Sequence, residues 1–249
     1  LPVSESCNTL QVDVPDSMGF ETHEALKRVN NNVGGSTVQF VADRLNYKTT
    51  TELCSALAAE QIDAVALAIY NFEAYGEGII IGDQTGIGKG RQAAAIIRYG
   101  VENGMQPIFI TEKPNLFSDM YRDLVAIGCK NYVPFIVNGK ESKTNVKDED
   151  GNVVYEAYEP GKQKSVFASN KIPASCHFVM ATYSQFSSPE KKPEKPQFLR
   201  AVADNNILIF DEAHNASGTS NTGSFLKDVV RRSKGVLFLS ATFAKRPDN

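Results

Sequence analysis

The sequence predicts an α/β fold in which a mainly parallel β-sheet has helices on both faces. After Gly76, short apolar runs without polar alternation take turns with amphipathic helical segments, a pattern typical of parallel strands buried on both faces. The predicted strands span residues 78–81, 107–111, 132–137, 178–182, 206–210 and 235–239. The predicted helices between them span residues 89–103, 115–127, 196–203 and 224–233. We therefore expect residues 76–249 to form one α/β domain.

Residues 1–75 precede this pattern, and we predict that they form an arm and a helical extension. Residues 1 to about 18 show no periodicity and contain Pro2 and Pro15, which favours an extended arm. Helical periodicity follows at residues 21–30, 38–45, 51–58 and 62–72.

Two segments interrupt the α/β alternation and are predicted to be solvated surface insertions. Residues 139–175 are rich in charge and contain a hairpin signal at Asp150-Gly151, and residues 188–195 are rich in Lys, Pro and Glu. Contact with a partner or a nucleic acid is the alternative for either segment.

Composition excludes few functions. The net charge of −3 gives no overall basic field, so it neither predicts nor excludes a local nucleic-acid groove. No apolar run approaches the roughly 20 residues that span a bilayer, and the start lacks the pattern of a signal peptide, so we expect no membrane partner. The cysteines are widely separated, which favours free thiols in the cytosol; they are Cys7, Cys54, Cys129 and Cys176.

A glycine-rich turn between the strand at 79–81 and the next helix predicts a phosphate-binding P-loop. Its backbone N–H groups would point into one concavity at the positive end of the helix, and Lys89 would reach the outer phosphates. The predicted ATP-binding residues of this segment are Asp83, Gln84, Thr85, Gly86, Ile87, Gly88, Lys89, Gly90 and Arg91.

The segment departs from the usual P-loop pattern at two positions. Asp83 stands where the first glycine belongs, and Gly90 replaces the hydroxyl residue that ordinarily ligates magnesium. Water or Thr85 is left to fill that coordination position. The spacing of Gly86, Gly88 and Gly90 also occurs in dinucleotide and methyl-donor loops, so the pattern needs support from elsewhere.

That support comes from residues 207–214, where two carboxylates end an apolar strand as in a Walker B motif of DEAH type. Asp211 is predicted to hold magnesium, usually through water, and Glu212 to orient and deprotonate the attacking water. His214 is interpreted as a coupling or structural residue rather than a base. ATP and Mg²⁺ are the expected cofactors.

The last predicted strand ends in the hydroxyl residues Ser240 and Thr242, an arrangement that matches helicase motif III. Such hydroxyls can hydrogen-bond the acidic motif and couple the nucleotide state to the rest of a motor. The alternative is an ordinary cap at a strand end.

With these motifs in order, the chain resembles superfamily 2 helicases and, more narrowly, the strawberry notch-like helicases with their bacterial and phage relatives. The narrow resemblance rests on residues 82–91, 110–114 and 239–247, and it covers roughly residues 55–249. It implies a RecA-like domain, the first of two, in which a P-loop ending in Gly-Lys-Gly is normal.

The resemblance also implies binding roles for residues outside the P-loop. Gln61 would read adenine, the alternative being an exposed helix glutamine. Thr111, Lys113 and Thr182 would face the nucleic-acid backbone through contacts that do not depend on sequence.

The function implied is that of the motor half of a DNA-dependent ATPase, helicase or translocase, with RNA left open as the nucleic acid. A second RecA-like domain would complete the cleft, so the isolated fragment is expected to hydrolyse ATP weakly. The location would be the cytoplasm of a bacterium or phage-infected cell, or the nucleus of a eukaryote. The alternatives are a nucleotide-gated binding module without productive hydrolysis and the helicase-like segment of a DNA methylase fusion.

Overall fold

The structure is a computed structural model that describes residues 2–4, 6–10, 16–82, 88–138, 144–215 and 221–240. Its helices are α1 (Asp16–Asn32), α2 (Thr37–Arg44), α3 (Thr50–Ala56), α4 (Ala59–Tyr75), α5 (Lys89–Glu102), α6 (Leu116–Ala126), α7 (Pro160–Ser169), α8 (Glu194–Ala203) and α9 (Asn221–Arg232). Its strands are β1 (Ile79–Ile81), β2 (Ile108–Thr111), β3 (Pro134–Ile136), β4 (Asn145–Lys147), β5 (Val153–Glu156), β6 (Phe178–Thr182), β7 (Ile207–Phe210) and β8 (Gly235–Leu239). Short 3-10 turns follow β6 and β7, at Tyr183–Phe186 and Ala213–Asn215.

The main sheet is parallel and has the strand order β1-β8-β7-β2-β6-β3. Strand β7 lies between β8 and β2, with Ile207 opposite Gly235 and Leu208 opposite Ile108. In a parallel sheet all strands end at the same edge, so the residues after β1, β2, β6, β7 and β8 are brought together. The predicted α/β class with a mainly parallel sheet is confirmed.

Helices cover both faces of this sheet, as the sequence predicts. On the first face, α4, α5 and α6 share a core with Phe109, Ile209 and Leu237, none of which is more than 2% exposed. On the second face, α7, α8 and α9 share a core with Phe135 and Phe210, which are both fully buried. Because both faces are covered, the strands are apolar along their whole length and show no polar alternation.

The N-terminal helices belong to the first face. Val41 of α2, Leu53 of α3 and Ile62 of α4 are each fully buried in the same core as the sheet. The predicted helices of this region are found with bounds shifted by a few residues. The division of the chain at residue 75 stays a prediction.

The segment after β3 is built into the fold where the structure describes it. Strands β4 and β5 form the predicted hairpin, and α7 follows it. Val146 is fully buried in the first-face core, and Phe167 is 6% exposed in the second. The segment 144–175 is thus a hairpin and a helix and not a loop, but most of its side chains are exposed, as expected of a surface insertion.

The N-terminal arm packs on α4. The carboxylate of Asp63 accepts hydrogen bonds from the backbone N–H groups of Val3 and Ser4 and from the Ser4 hydroxyl. This contact brings Cys7 to Cys54, and the two form a disulfide. The expectation of free thiols is wrong for this pair, because spacing along the chain does not reveal which cysteines meet in the fold.

Cys129 and Cys176 are free, as expected, and both are buried.

Among the described residues no single helix is long and apolar enough to cross a membrane. Helices α3 and α4 reach that threshold only when joined, and they are bent by 108° relative to each other.

Candidate functional site

The predicted P-loop leads into the N-terminus of α5, and its residues 83–87 lie outside the described part of the chain. Gly88 caps the helix with a left-handed backbone of φ +72°, which favours glycine because it has no Cβ. Its carbonyl accepts the N–H of Arg91 at 3.0 Å and of Gln92 at 3.3 Å. Lys89 is the first residue of the helix and is half-buried. The end of a 14-residue helix, with its positive dipole, therefore lies beside the predicted loop.

Gln61 lies against this loop and is 4% exposed. Its Oε1 accepts the N–H of Ala58 at 2.9 Å, and its Nε2 is 3.5 Å from the carbonyl oxygen of Gly88. A Cβ added at Gly88 would collide with that Nε2, so the glycine and the glutamine side chain occupy matched space. The alternative of an exposed helix glutamine is wrong, because the start of α4 points into the site. The adenine role of Gln61 stays a prediction.

Asp211 follows β7, and residues of β2 and of the turn after β6 position it. The hydroxyl of Thr111 donates to Oδ2 of Asp211 at 2.8 Å. The backbone N–H of Asp211 donates to Ile110, and the hydroxyl of Tyr183 donates to the carbonyl of Asp211 at 2.8 Å. Asp211 is thus held by the residues that end β2 and follow β6.

The electrostatics of Asp211 reflect this partly buried position. Burial raises the pKa of Asp211, and the charge of Glu212 raises it further. The hydrogen bond from Thr111 and, more weakly, the charge of Lys89 lower it. The charge of Lys89 therefore acts on Asp211 across the edge of the sheet, and the predicted roles of the two residues in phosphate and magnesium binding stay predictions.

Glu212 has a left-handed backbone with φ +50°. A non-glycine residue in this region stores roughly 1–3 kcal/mol of strain, and such residues concentrate at functional sites. Oε2 of Glu212 lies 3.3 Å from Nδ1 of His214, and both side chains are partly exposed. The turn thus directs the second carboxylate out of the sheet edge, and the histidine limits its orientation.

Ser240 ends β8 between the two halves of the site. It is 2% exposed, and its N–H donates to the carbonyl of Ile81 at 3.3 Å. It therefore links the strand before the P-loop to the strand beside β7. Thr242 lies outside the described residues.

The structure places the three predicted nucleic-acid residues differently. Lys113 is exposed just beyond β2. Thr111 is fully buried on Asp211, and Thr182 is 3% exposed with its hydroxyl 2.9 Å from that of Ser184. Neither threonine hydroxyl is therefore exposed to a nucleic-acid strand in this structure. That of Thr111 is hydrogen-bonded to Asp211, and that of Thr182 to Ser184.

Two residues of the site were missed by sequence reasoning. Tyr183 is 8% exposed, and its pKa is raised by burial and by the charges of Asp211 and Glu212, so it acts as a neutral donor. Asp123 of α6 lies directly opposite Gly90. Tyr183 directly follows the buried strand β6, and this position at the end of a parallel strand could have indicated it. Asp123 lies inside a helix, where the sequence shows no motif.

Sequence comparison places the chain among known proteins. Residues 27–249 match the family described as P-loop containing NTP hydrolase pore-1. The chain belongs to this family. Its curated relatives include Protein strawberry notch homolog 1 from Homo sapiens, 28% identical over 221 residues that cover 78% of this chain and 14% of that protein. The Gallus gallus protein of the same name is 28% identical over 218 residues, covering 78% of this chain and 16% of that protein.

This P-loop NTP hydrolase sequence thus spans only 14–16% of the length of those relatives. The predicted strawberry notch resemblance is confirmed, while the bacterial or phage origin stays a prediction. Among solved structures, the UvsW helicase from Bacteriophage T4 has a TM-score of 0.49 and 18% identity, over 74% of this chain and 52% of that one. A nuclease-deletion mutant of the Type ISP restriction-modification enzyme LlaGI, in complex with a DNA substrate mimic, has a TM-score of 0.49 and 17% identity, over 75% of this chain and 17% of that one.

Proposed function

We propose that this chain is the ATP-binding half of a superfamily 2 motor that hydrolyses ATP with magnesium on DNA. The observation that supports it most is the placement of Lys89, at the N-terminus of α5, and of Asp211 and Glu212, directly after β7, at the same edge of the parallel sheet. The charge of Lys89 is near enough to lower the pKa of Asp211. A lysine at a helix N-terminus suits phosphate, and a carboxylate at the neighbouring strand end suits a magnesium ion.

The side chains present fit both cofactors. Gly88 has no Cβ, and the side-chain amide of Gln61 lies beside it, with Nε2 3.5 Å from the Gly88 carbonyl oxygen. Asp211 presents carboxylate oxygens, the ligands that Mg²⁺ prefers, and Thr111 fixes their orientation. When bound, Mg²⁺ would neutralise charge on the β- and γ-phosphates.

The residues then divide the reaction among them. Lys89 would hold the outer phosphates, and Asp211 would hold the cation at the middle of the sheet edge. Glu212 accepts the proton of the water that attacks the γ-phosphate, and the products are ADP and inorganic phosphate. His214 restricts the Glu212 carboxylate, and Gln61 reads the adenine.

Coupling to DNA would use the outer part of the same edge. Ser240, Thr242 and His214 would transmit the nucleotide state, and Lys113 would contact the DNA backbone, with RNA as the alternative strand. A second RecA-like domain would close the cleft, so the 249-residue fragment alone would turn over weakly. Such a motor would work in the cytoplasm of a bacterial or phage-infected cell, or in a eukaryotic nucleus.

A nucleotide-gated module without productive hydrolysis is the second candidate. The observation that favours it is Gly90, which brings no hydroxyl to the cation. The two candidates agree on nucleotide binding and differ in turnover.

The deciding experiment compares the wild-type fragment with Lys89→Ala in calorimetric titrations with Mg-ATP. Loss of a charged hydrogen-bond donor costs about 1.5–3 kcal/mol, so we expect affinity to fall roughly 10- to 100-fold. Lys113→Ala removes an exposed lysine from the same sheet edge and serves as the matched control, which should bind ATP like the wild type. Unchanged affinity in Lys89→Ala would contradict nucleotide binding at this site.

Turnover is tested in the full-length protein. We expect ATPase activity that DNA stimulates and that Glu212→Gln abolishes without weakening ATP binding. Binding without DNA-stimulated turnover would favour the nucleotide-gated module.

A further inference from the structure

Position 90 of the P-loop has a specific partner on the neighbouring helix. The Cα of Gly90 faces the carboxylate of Asp123, which comes from the middle of α6. A Cβ added at Gly90 would collide with Oδ2 of Asp123 and lie 2.9 Å from its Cγ. The carboxylate therefore occupies the volume that a serine or threonine side chain would fill in the usual P-loop.

The carboxylate of Asp123 has the cationic neighbours Arg91 and Arg122 but, among the described residues, no direct pairing partner. Among the hydrogen bonds and ion pairs of the described residues, none involves Asp123, whereas Asp119 on the same helix pairs with Arg122. Burial raises the pKa of Asp123, and the guanidinium groups of Arg91 and Arg122 lower it by less. A half-buried acid costs free energy to keep charged, and such residues are enriched at functional sites.

Asp123 lies where the usual P-loop has a side chain that binds the cation. The P-loop hydroxyl ordinarily gives one oxygen to the magnesium ion bound with the nucleotide, and this chain lacks it at Gly90. A carboxylate oxygen in the same volume offers the same hard donor with more charge. Thr85, the other predicted source of an oxygen, lies outside the described residues.

We propose that Asp123 replaces the missing P-loop hydroxyl and provides an oxygen for the divalent cation that accompanies ATP. This inference rests on the proposed function, because it assumes that Mg-ATP binds at Lys89. Gly90 and Asp123 then form one unit: the glycine leaves the space, and the carboxylate from α6 fills it.

A carboxylate in this role has an electrostatic consequence that a packing residue lacks. With the cation present it stabilises the complex, and without the cation its negative charge repels the phosphates. Removing the charge should therefore weaken cation binding and, in the same protein, leave metal-free nucleotide affinity equal or higher.

The test uses Asp123→Asn, which keeps the shape and removes the charge, with Asp119→Asn as the matched control on α6. Mn²⁺ binding to the fragment saturated with ADP is measured by electron paramagnetic resonance, and ADP affinity is measured in EDTA by calorimetry. We expect Asp123→Asn to lower Mn²⁺ affinity about 10- to 100-fold and not to weaken ADP binding in EDTA. Asp119→Asn should match the wild type in both measurements.

An exchange of the two side chains provides a second variant. Gly90→Ser alone should lose Mn²⁺ affinity, because its side chain collides with Asp123. The double variant Gly90→Ser with Asp123→Ala restores the hydroxyl of the usual P-loop and opens the space for it, so Mn²⁺ affinity should return toward that of the wild type.

The outcomes separate this inference from the proposed function. If ADP binds in a manner that depends on Lys89 but Asp123→Asn changes Mn²⁺ affinity less than twofold, the role of Asp123 is refuted and the motor proposal stands. If Asp123→Asn weakens ADP equally with Mn²⁺ and in EDTA, Asp123 is a packing residue and the inference is also refuted. If ADP binding does not depend on Lys89, the proposed function itself fails and the inference fails with it.

Discussion

The two faces of the sheet are stabilised in different ways. On the first face, polar side chains approach glycines closely at the start of α5, beside the predicted P-loop. Gln61 of α4 lies against Gly88, and Asp123 of α6 lies against Gly90. On the second face, the packing is aromatic, and the ring centroids of Phe135, Phe167 and Phe198 lie 5.3–6.1 Å from one another. The comparison teaches that the first face carries the polar contacts around the start of α5, whereas the second face is mainly an aromatic core that reaches the site through the hydrogen bond from Tyr183 to Asp211.

The strongest test of this division is Phe198→Ala on the second face. Phe198 is 1% exposed, so truncation leaves a cavity and should lower the free energy of unfolding by about 3–5 kcal/mol. Urea denaturation measures the loss, and calorimetry at a temperature where the variant is folded should give wild-type affinity for ATP. Phe20→Ala is the control, since Phe20 is 73% exposed and its removal should change stability by less than about 0.5 kcal/mol. A parallel fall in affinity for Phe198→Ala would show that the faces are coupled.

A smaller effect is expected where the sheet edge meets the site, at Thr111. Thr111→Val keeps the shape but leaves Oδ2 of Asp211 without its donor, and it should cost about 1–3 kcal/mol. The pKa of Asp211 should rise further, because the hydrogen bond favours the ionised form. Thr111→Ser retains the hydroxyl and should recover most of the stability. Denaturation near pH 8 distinguishes the two; equal losses would assign the effect to packing instead.

The smallest effect is expected for Asp211→Asn, and its sign depends on pH. Because the folded-state pKa of Asp211 is raised, the protonated form stabilises the fold below the ordinary pKa, and this contribution is lost as pH rises through the folded pKa. Relative to the wild type, the variant should therefore gain melting temperature near neutral pH and lose that advantage in acid. Asp228→Asn, at an exposed ion pair with Arg200, should show no such gain. A variant that is less stable than the wild type at neutral pH would contradict the direction of the shift.

Much of the fold could be predicted because its signals are local. Each of the six sheet strands is an unbroken apolar run, and the helices between them show their own periodicity. The site residues Lys89, Asp211 and Ser240 could be placed at one edge because parallel strands end together. The regular structure of residues 144–175 was predicted only in part, since one buried side chain such as Val146 among many charges gives no periodic signal.

What could not be predicted depends on contacts between distant segments. Asp123 meets Gly90 only because α5 and α6 pack side by side, and Thr111 reaches Asp211 only because β2 and β7 are neighbours. Cys7 reaches Cys54 through the hydrogen bonds of the arm to Asp63. None of these pairs has a fixed spacing that a single sequence would reveal.

The disulfide has a consequence for how the protein opens. The bond joins two cysteines that are 47 residues apart, and the loop between them contains α1 and α2. By reducing the conformational entropy of the unfolded chain, such a cross-link raises the free energy of unfolding by about 4 kcal/mol. In the oxidised protein the arm cannot leave α4 unless Cys54 moves with it. In the reduced protein the arm is retained by non-covalent contacts, which include hydrogen bonds to Asp63, to Glu60 and from the N–H of Ala59. The ease with which this segment exchanges its amide hydrogens or is cut by a protease should therefore depend on the redox state.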